Sequence, residues 1–375
     1  MGVTDRLYYS NSYLTQFSAT ILDVQDQGRR IYLDQTAFYP TSGGQLFDQG
    51  KLNQLSVTDV IDEDGRIAHI LANPDDTLRP GMMIQGEIDW NRRFDHMQQH
   101  SGQHLLSAIF AEKLQLETIS VHLGEAVSTI DLETASIDPQ LLSTAETLAN
   151  QVVFQNLPIA VQSEDADTVE GLRKASARQG LLRIVTIQGL DKSACGGTHV
   201  RATGEIGPIL IRRTEKVRNA TRVEFVCGQR ALEAIRAEAS ALKEQAAQYQ
   251  NRLSESEKEK KKLLTEVAAF RGLEKYQHTE SDAQGRRIFM EQVPEITDAI
   301  RLEAQSFTQQ SQAVYAVLAG NSVLLATSRD SGLHAGNIMK EIADKGGGSA
   351  TMAQGSASNT ENTLNQIRNK ILSAV

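Results

Sequence analysis

The chain has 375 residues, 40% of them hydrophobic, and a formal net charge of −9. This length suits two or three domains, and the apolar content excludes a disordered composition. The negative charge excludes a general basic surface for nucleic acid, so nucleic-acid binding would need local basic patches. Two cysteines do not make a disulfide framework, and we find no signal-peptide pattern or membrane-spanning apolar run. We therefore expect a cytoplasmic protein.

Residues 1–90 are predicted to form a β-barrel-like subdomain or curled sheet. Short β-branched and apolar runs alternate there with turn signals, and the Asp64-Gly65 pair marks a hairpin. Residues 91–228 begin with a helical pattern and continue with several strand-like runs, which predicts an α+β domain.

Residues 229–278 are predicted to form a long helix or a helical hairpin. There is no glycine or proline between Ala231 and Arg271, and apolar residues recur at the heptad spacing that is typical of coiled coils. Ser256 and Lys260 interrupt the apolar seam at its middle, so a hairpin tip there is the alternative to one continuous helix.

Residues 279–375 alternate strand-like and helix-like runs, which is typical of a small α/β domain. Together the four segments predict an α+β multidomain protein. Its second segment contains the residues with the most specific chemistry.

Two pairs of metal-binding residue types have the same spacing in this segment. On a helix, His100 and His104 would present both imidazoles on one face, and Cys195 and His199 enclose two glycines that favour a tight turn. Such pairs supply the nitrogen and sulfur ligands of a tetrahedral zinc site. His96 precedes His100 at the same spacing, so spacing alone leaves His96 and His100 as an alternative pair.

The role of such a metal is open from the residues alone. Zinc with four protein ligands is usually structural, whereas zinc with an open position activates water or polarises a carbonyl. The pattern therefore allows a catalytic metal or a metal that organises a pocket.

Four stretches carry more extended motifs: TAFYPTSGGQLFDQG, QQHSGQHLLSAIF, VHLGEAVSTIDL and DKSACGGTHVRATGEIGPILI. In order and spacing they closely resemble the editing domain of alanyl-tRNA synthetases, and still more its freestanding AlaX-type relatives. Further on, DKGGGSATMAQGSAS resembles the DHH-associated C-terminal domain of those synthetases. The chain has no ATP-binding motif, so ATP binding is not expected, and the resemblance is to a long AlaX protein.

The resemblance implies that catalysis acts through Zn²⁺ held by His100, His104, Cys195 and His199, with His96 as a neighbour. The implied activity is that of a zinc-dependent hydrolase, a trans-editing deacylase of mischarged seryl, or alternatively glycyl, alanine tRNA. Alanine tRNA is the expected partner, and a homodimer through the long helix or the C-terminal domain is a further expectation. Two other classes stay open: a tRNA-binding protein with a structural zinc, and a zinc hydrolase of another small ester or amide.

Substrate contacts are predicted at Gly43, Gly44, Gln45, Gln103, His122 and Thr129. The glycines would let a ligand approach the backbone closely, and a hydrogen bond to a seryl hydroxyl would exclude alanine. Gln103 stands where the synthetase domain commonly has threonine, so the resemblance leaves the amino acid undecided. A plain turn and ordinary core packing are the alternatives for these positions.

Contacts with tRNA are predicted at Arg212, Arg213, Lys216, Arg218, Gly346, Gly347 and Gly348. Clustered cations contact phosphates, and glycine backbone N–H groups can do so as well. A solvated strand face and a flexible loop are the alternatives. Arg173, Lys174 and Arg178 form a second, weaker basic group.

Overall fold

A computed structural model of the chain describes residues 3–358 and 360–373. The chain separates into two compact units, Met1–Ala241 and Leu242–Val375. Both units contain helices and sheets, so the prediction of a mixed α and β multidomain protein is confirmed. The finer division into four domains stays a prediction.

The first unit begins with a β-barrel. Its elements are β1 (Asp5–Arg6), α1 (Leu7–Ser10), β2 (Gln16–Gln25), a 3-10 helix (Asp26–Gly28), β3 (Arg30–Leu33), β4 (Gln35–Thr36), β5 (Gly50–Leu52), β6 (Leu55–Glu63), β7 (Arg66–Leu71) and β8 (Met83–Ile88). Six strands pair in the closed order β2-β3-β7-β6-β5-β8, and β1 pairs separately with β4. Every second residue of β8 is buried, and Ile84 joins Ile21 and Leu33 in one apolar cluster.

Helix α2 (Trp90–Leu114) carries the first pair of candidate metal residues. The Asp89 side chain caps its start by accepting a hydrogen bond from a backbone N–H of the first turn, and Gln115 ends it in a left-handed conformation. Every residue from His96 to Phe110 is buried, so α2 is a core helix.

A buried ion pair fixes α2 to the loop before β5. Arg93 Nε donates to Asp48 Oδ1 at 2.9 Å, and both side chains are 0% exposed. The guanidinium also donates to the backbone carbonyls of Ser12 (2.8 Å) and Ala37 (2.5 Å), while Asp48 accepts from the Tyr39 N–H (2.6 Å). These additional hydrogen bonds allow the two charges to stay buried.

The rest of the first unit forms two further sheets around α2. Its elements are β9 (Thr118–Leu123), β10 (Ser128–Leu132), α3 (Pro139–Gln155), β11 (Ile159–Asp165), β12 (Leu181–Ile187), β13 (Asp191–Ala194), a 3-10 helix (Thr203–Ile206), β14 (Ile209–Val217) and β15 (Ala220–Cys227). The sheet orders are β14-β15-β10-β9 and β11-β12-β13. Phe110 of α2, Ala149 of α3, and Val185 and Phe225 of the two sheets belong to one core.

Helix α4 (Gln229–His278) is one continuous helix, so the hairpin alternative is wrong. Its heptad residues Leu242, Tyr249, Leu253 and Phe270 are exposed. An exposed apolar seam is typical of a helix that pairs with another helix, and the homodimer stays a prediction. Within residues 3–358 and 360–373, no helix is both long and apolar enough to cross a membrane.

The second unit is built on a five-stranded sheet in the order β16-β17-β18-β20-β19. The elements after α4 are β16 (Arg287–Gln292), α5 (Asp298–Thr308), β17 (Ala313–Ala319), β18 (Ser322–Thr327), α6 (Ala335–Ile342), β19 (Lys345–Gly348), β20 (Met352–Ser356) and α7 (Thr360–Ser373). β16 and β17 are parallel, and the other neighbours are antiparallel. Met339 of α6 and Ile367 of α7 belong to one apolar cluster, and Phe307 of α5 belongs to another.

Candidate metal centre and substrate cavity

Four metal-binding side chains come together where α2 meets the turn after β13. His100 and His104 lie one helical turn apart on α2, and Cys195 and His199 lie on that turn. Their ligand atoms all lie within 4.8 Å of one another. Cys195 Sγ is 3.3 Å from His100 Nε2 and 3.4 Å from His199 Nε2. A tetrahedral zinc shell separates such ligand atoms by roughly 3.3–3.6 Å, so both distances suit this ion.

The two glycines between Cys195 and His199 make the close approach possible. A Cβ at Gly197 would lie 2.1 Å from His100 Cε1, so a larger residue would displace the imidazole. Arg183 holds the same turn by donating to the backbone carbonyls of Cys195 (2.9 Å) and Gly197 (2.7 Å). The position of the turn against α2 therefore depends on glycine and on an arginine from β12.

Each imidazole of the cluster has a hydrogen-bond partner for its outer nitrogen. The pairs are His100 Nδ1 with Gln45 Oε1 (2.8 Å), His104 Nδ1 with Asp191 Oδ2 (2.9 Å) and His199 Nδ1 with Ser101 Oγ (3.1 Å). A proton on Nδ1 leaves the Nε2 lone pair free to bind a metal. Because proteins orient metal-binding histidines through such partners, the residues fit a zinc ion.

The surroundings of Cys195 favour its thiolate. Burial alone would raise the pKa of this thiol, but the imidazole of His100 and the hydrogen bonds from His100 and His104 outweigh burial and hold the pKa well below its usual value. Burial lowers the pKa of His199 to about 3, which keeps that ring neutral. Burial also acts to lower the pKa of His104, but the Asp191 carboxylate and the Cys195 sulfur raise it to about 9. Metals bind thiolates and neutral imidazoles, so His104 would release a proton on binding.

A cavity of about 550 Å³ lies beside the cluster, and His100, His104 and Cys195 line it. Small-molecule sites typically measure roughly 300–1,000 Å³. Its cationic lining residues are Arg173, Lys174, Arg178 and Arg183. Within the described part of the chain, no Asp or Glu lines this cavity. The cavity is therefore positively charged although the whole chain is negative.

A glycine turn forms another part of the site. Ser42 and Gln45 exchange two backbone hydrogen bonds of 3.0 Å, and Gly43 and Gly44 between them have positive φ angles of 55° and 86°. Gly43 lines the cavity. A Cβ at Gly44 would lie 3.3 Å from the Val121 carbonyl oxygen. Both the backbone conformation and the close approach to β9 therefore favour glycine here.

Gln45, predicted to contact substrate, points from this turn into the protein and is 0% exposed. Its Oε1 accepts from His100 Nδ1 (2.8 Å) and from the Thr198 N–H (3.0 Å). Its Nε2 donates to Thr198 Oγ1 (2.8 Å). Gln45 thus positions a metal residue and the glycine-containing turn opposite it.

Two protein families match parts of the chain. Residues 182–224 match the family described as "Threonyl and Alanyl tRNA synthetase second additional domain". Residues 10–92 match "tRNA synthetases class II (A)". The first match contains Cys195 and His199, and therefore half of the metal cluster.

Curated relatives extend this similarity. The alanyl-tRNA editing protein AlaX-L of Pyrococcus horikoshii is 33% identical over 241 residues, which cover 61% of this chain and 59% of the relative. The alanyl-tRNA editing protein Aarsd1 of Mus musculus is 36% identical over 211 residues, which cover 55% and 50%. Over these stretches the chain is similar to alanyl-tRNA editing proteins of the AlaX type. It spans between half and three fifths of the length of these two relatives. The alanine–tRNA ligase of Pyrococcus abyssi is 33% identical over 298 residues, covering 71% of this chain and 32% of the ligase.

His96 lies outside the cluster of four side chains. The side chain is buried, and among the described residues its Nδ1 has no hydrogen-bond partner. Burial lowers the pKa of His96 to about 3, so the ring is neutral. The spacing alternative of His96 with His100 is therefore not the pair that meets Cys195.

The structure brings Gln103 to the cavity but not His122 or Thr129. Gln103 lines the cavity, and its Nε2 donates to Ser107 Oγ at 2.8 Å. His122 and Thr129 lie opposite each other on β9 and β10, and neither belongs to the lining, to which β9 contributes its residues 118–121. The cavity gives no support to their predicted contact with the amino acid, which stays a prediction.

In the basic cluster on and just after β14, some of the cations already form ion pairs. Arg213 Nε lies 2.8 Å from Glu224 Oε2, and Arg212 Nη1 lies 3.4 Å from Glu224 Oε1. Lys216 and Arg218 are exposed. Their contact with tRNA stays a prediction, and the structure shows that two of the four cations already have a carboxylate partner.

The glycine run of the second unit lies in the edge strand β19 and not in a free loop. A Cβ at Gly346 would lie 2.9 Å from the Gly355 Cα, and one at Gly348 would lie 2.3 Å from the Met352 carbonyl oxygen. Only Gly347 has open space at that position. Close packing against β20 is therefore one reason for these glycines, and their contact with tRNA stays a prediction.

The sequence alone does not predict three residues that hold the cluster in position: Ser101, Arg183 and Asp191. Each is distant in sequence from the side chain or turn that it holds. No periodicity marks them, because they act through the tertiary fold. The weak basic group of Arg173, Lys174 and Arg178 was the one available signal for the charged cavity wall.

Proposed function

We propose that this protein is a trans-editing aminoacyl-tRNA deacylase. It would hydrolyse the ester between alanine tRNA and a wrongly attached serine, with glycine as the alternative amino acid. The observation that carries the proposal is a cluster of metal-binding residue types in the wall of a cavity that, among the described residues, has cations and no carboxylates in its lining. An ester at the end of a polyanion needs a hydrolytic centre with positive surroundings. The names of the relatives supply the choice of tRNA.

We assign the metal to zinc, because imidazole and thiolate ligands in a tetrahedral arrangement suit this ion. Zinc held by His100, His104, Cys195 and His199 would polarise the ester carbonyl or lower the pKa of a water molecule. Cys195 is the partly exposed member of the set and borders the cavity, whereas the three histidines are buried.

The reaction adds water to the ester carbonyl carbon and breaks the bond to the ribose oxygen, which takes up the proton. The chain's own residues would hold the ester during this step. Gln103 Nε2 is engaged by Ser107, so its Oε1 remains to accept a hydrogen bond. A seryl hydroxyl can donate that bond, whereas alanine has no hydroxyl to donate, which disfavours alanine.

Time courses of ester loss from seryl-, glycyl- and alanyl-tRNA(Ala) test the proposal. We expect the purified chain to release serine and to leave alanine attached. Binding without ester loss would favour a tRNA-binding protein with a structural metal. Equally fast hydrolysis of free seryl esters would favour a zinc hydrolase of another class.

The two cysteines of the chain offer a matched pair of variants. Cys195→Ala removes a predicted ligand, so we expect loss of about one zinc per chain and loss of deacylation. Cys227→Ala removes a buried thiol outside the cluster and should keep both. Elemental analysis and the deacylation assay measure the two effects. Full activity of a folded, metal-free Cys195→Ala protein would contradict the zinc role.

A further inference from the structure

An irregular segment between β11 and β12, residues 166–180, contributes much of the cavity lining. The two strands pair up to their ends, where Asp165 is opposite Leu181, and the Ala166 N–H donates to the Gly180 carbonyl at 2.8 Å. The segment is therefore a hairpin loop closed at its base. Loops longer than about 12–15 residues without regular structure are uncommon in compact domains and usually functional.

The charges of this hairpin loop are sorted by position. Its cations Arg173, Lys174 and Arg178 all line the cavity. Its carboxylates Asp167 and Glu170 do not belong to the lining. In a loop that is only a solvated connection, we expect cations and carboxylates alike to face water. Here the cations line a cavity and the carboxylates do not.

The three cations differ in what they already bind. Arg173 Nε donates to Asp191 Oδ1 at 2.7 Å, and Asp191 in turn accepts from His104. Lys174 and Arg178 are exposed and, within residues 3–358 and 360–373, form no ion pair. Two cations are thus free to bind an anion at the wall of the cavity that holds the metal residues.

We propose that Lys174 and Arg178 bind phosphates of the single-stranded 3′ end of tRNA. The inference rests on the proposed function, because an ester at the metal residues brings the adjoining phosphates to the cavity wall. Phosphate contacts position a nucleic acid without reading its sequence, which suits a strand end that must reach one point. A local positive wall is also the means by which a chain of charge −9 can attract a polyanion.

The test compares binding of uncharged tRNA(Ala), intact or trimmed of its single-stranded 3′ end, at several salt concentrations. Affinity for a nucleic acid falls as salt rises, and each phosphate contact to a single strand makes the slope of log affinity against log salt steeper by about 0.7. We expect the double variant Lys174→Ala with Arg178→Ala to make this slope shallower by about 1.4 for intact tRNA. For trimmed tRNA the slope should stay unchanged. Exchanging the two cations, as Lys174→Arg with Arg178→Lys, should preserve the slope.

Lys216→Ala with Arg218→Ala is the matched control, since these exposed cations lie outside the cavity. It should affect intact and trimmed tRNA alike. The inference would be overturned if the Lys174 and Arg178 variant kept the wild-type slope on intact tRNA, or lost as much on trimmed tRNA. Deacylation by the wild type is measured in parallel: its absence, with the slope difference present, would reject the proposed function and leave the phosphate site standing.

Discussion

Asp191 is the residue through which the metal cluster and the charged cavity wall meet. Its carboxylate accepts from His104 Nδ1 (2.9 Å), Arg173 Nε (2.7 Å) and Ser193 Oγ (3.0 Å). Burial would raise the pKa of Asp191, but the hydrogen bond from His104 and the charge of Arg173 hold the pKa below its usual value. Asp191 is therefore a carboxylate that orients one ligand and is itself held by the hairpin loop.

Replacing Asp191 with Asn should weaken metal binding without removing a ligand. Loss of a partner on a ligand's outer nitrogen typically lowers metal affinity by roughly 10–100-fold. Competition with a chelator measures the zinc affinity, and circular dichroism monitors the fold. Asp167→Asn, between β11 and β12 and outside the cluster, should bind zinc like the wild type. Unchanged affinity in a folded Asp191→Asn protein would show that His104 needs no such support.

The candidate metal ligands are easier to predict from the sequence than the residues that hold these ligands in position. His100 and His104 share a helix face because of their spacing, and the glycines beside Cys195 mark a turn. Asp191 has no such signature, since its role depends on β13 approaching α2 in the folded chain. His122 is the opposite case, because the resemblance predicts a substrate contact there, whereas the residue does not belong to the cavity lining and the contact stays a prediction.

At the scale of elements, α2 is held near its start by two charged contacts. Near its start, Arg93 forms the buried pair with Asp48 on the barrel side. Asp95 of α2 also accepts from Arg230 Nε of α4 at 2.8 Å. The helix that carries His100 and His104 is thus fixed by charged groups as well as by its apolar core.

Breaking the buried pair should be costly. Asp48→Asn leaves the Arg93 charge buried without its partner, and such changes destabilise by about 3–5 kcal/mol. Urea denaturation followed by the fluorescence of Trp90, the only tryptophan of the chain, would measure the free energy of unfolding. A stability loss of this size is the expected result.

The neighbouring pair of Arg92 and Glu125 supplies the control. Arg92 Nη2 lies 3.2 Å from Glu125 Oε1, but the Glu125 side chain is 69% exposed. Solvent-exposed pairs contribute up to about 1 kcal/mol, so Glu125→Gln should change little. Equal effects of Asp48→Asn and Glu125→Gln would mean that the buried pair does not anchor α2.

Among the elements, helices α2 and α4 follow from their sequence patterns, whereas the hairpin loop does not. The heptad pattern before Arg271, which contains no glycine or proline, predicts a long helix. Its polar interruption also allowed a hairpin, which the structure excludes. Residues 166–180 have no periodicity, so their path along the cavity depends on the pairing of β11 with β12.

At the scale of the whole molecule, the metal residues and their outer partners all belong to the first unit. The start of α4 also belongs to it, because Arg230 contacts Asp95 and the Gly124 carbonyl (2.7 Å). Among the described residues, every member of the cluster and each of its outer hydrogen-bond partners therefore lies before Ala241.

A chain that ends at Ala241 should fold and keep about one zinc per chain. Elemental analysis and far-ultraviolet circular dichroism measure these two properties, with the full chain as reference. Both units would contribute to tRNA affinity if the predicted contacts at Gly346 to Gly348 exist, so the shortened chain should then bind tRNA more weakly. A metal-free or unfolded product would show that the second unit is required for the site.

The closed base of the hairpin loop has a consequence for how this site can change. Because the pairing of β11 with β12 is complete before the loop begins, insertions or exchanges within residues 166–180 need not shift the strand register. Doubling the length of a flexible loop costs only about 0.6 kcal/mol in closure entropy. The loop is thus a natural place to graft a different recognition surface, provided that Arg173 stays to hold Asp191.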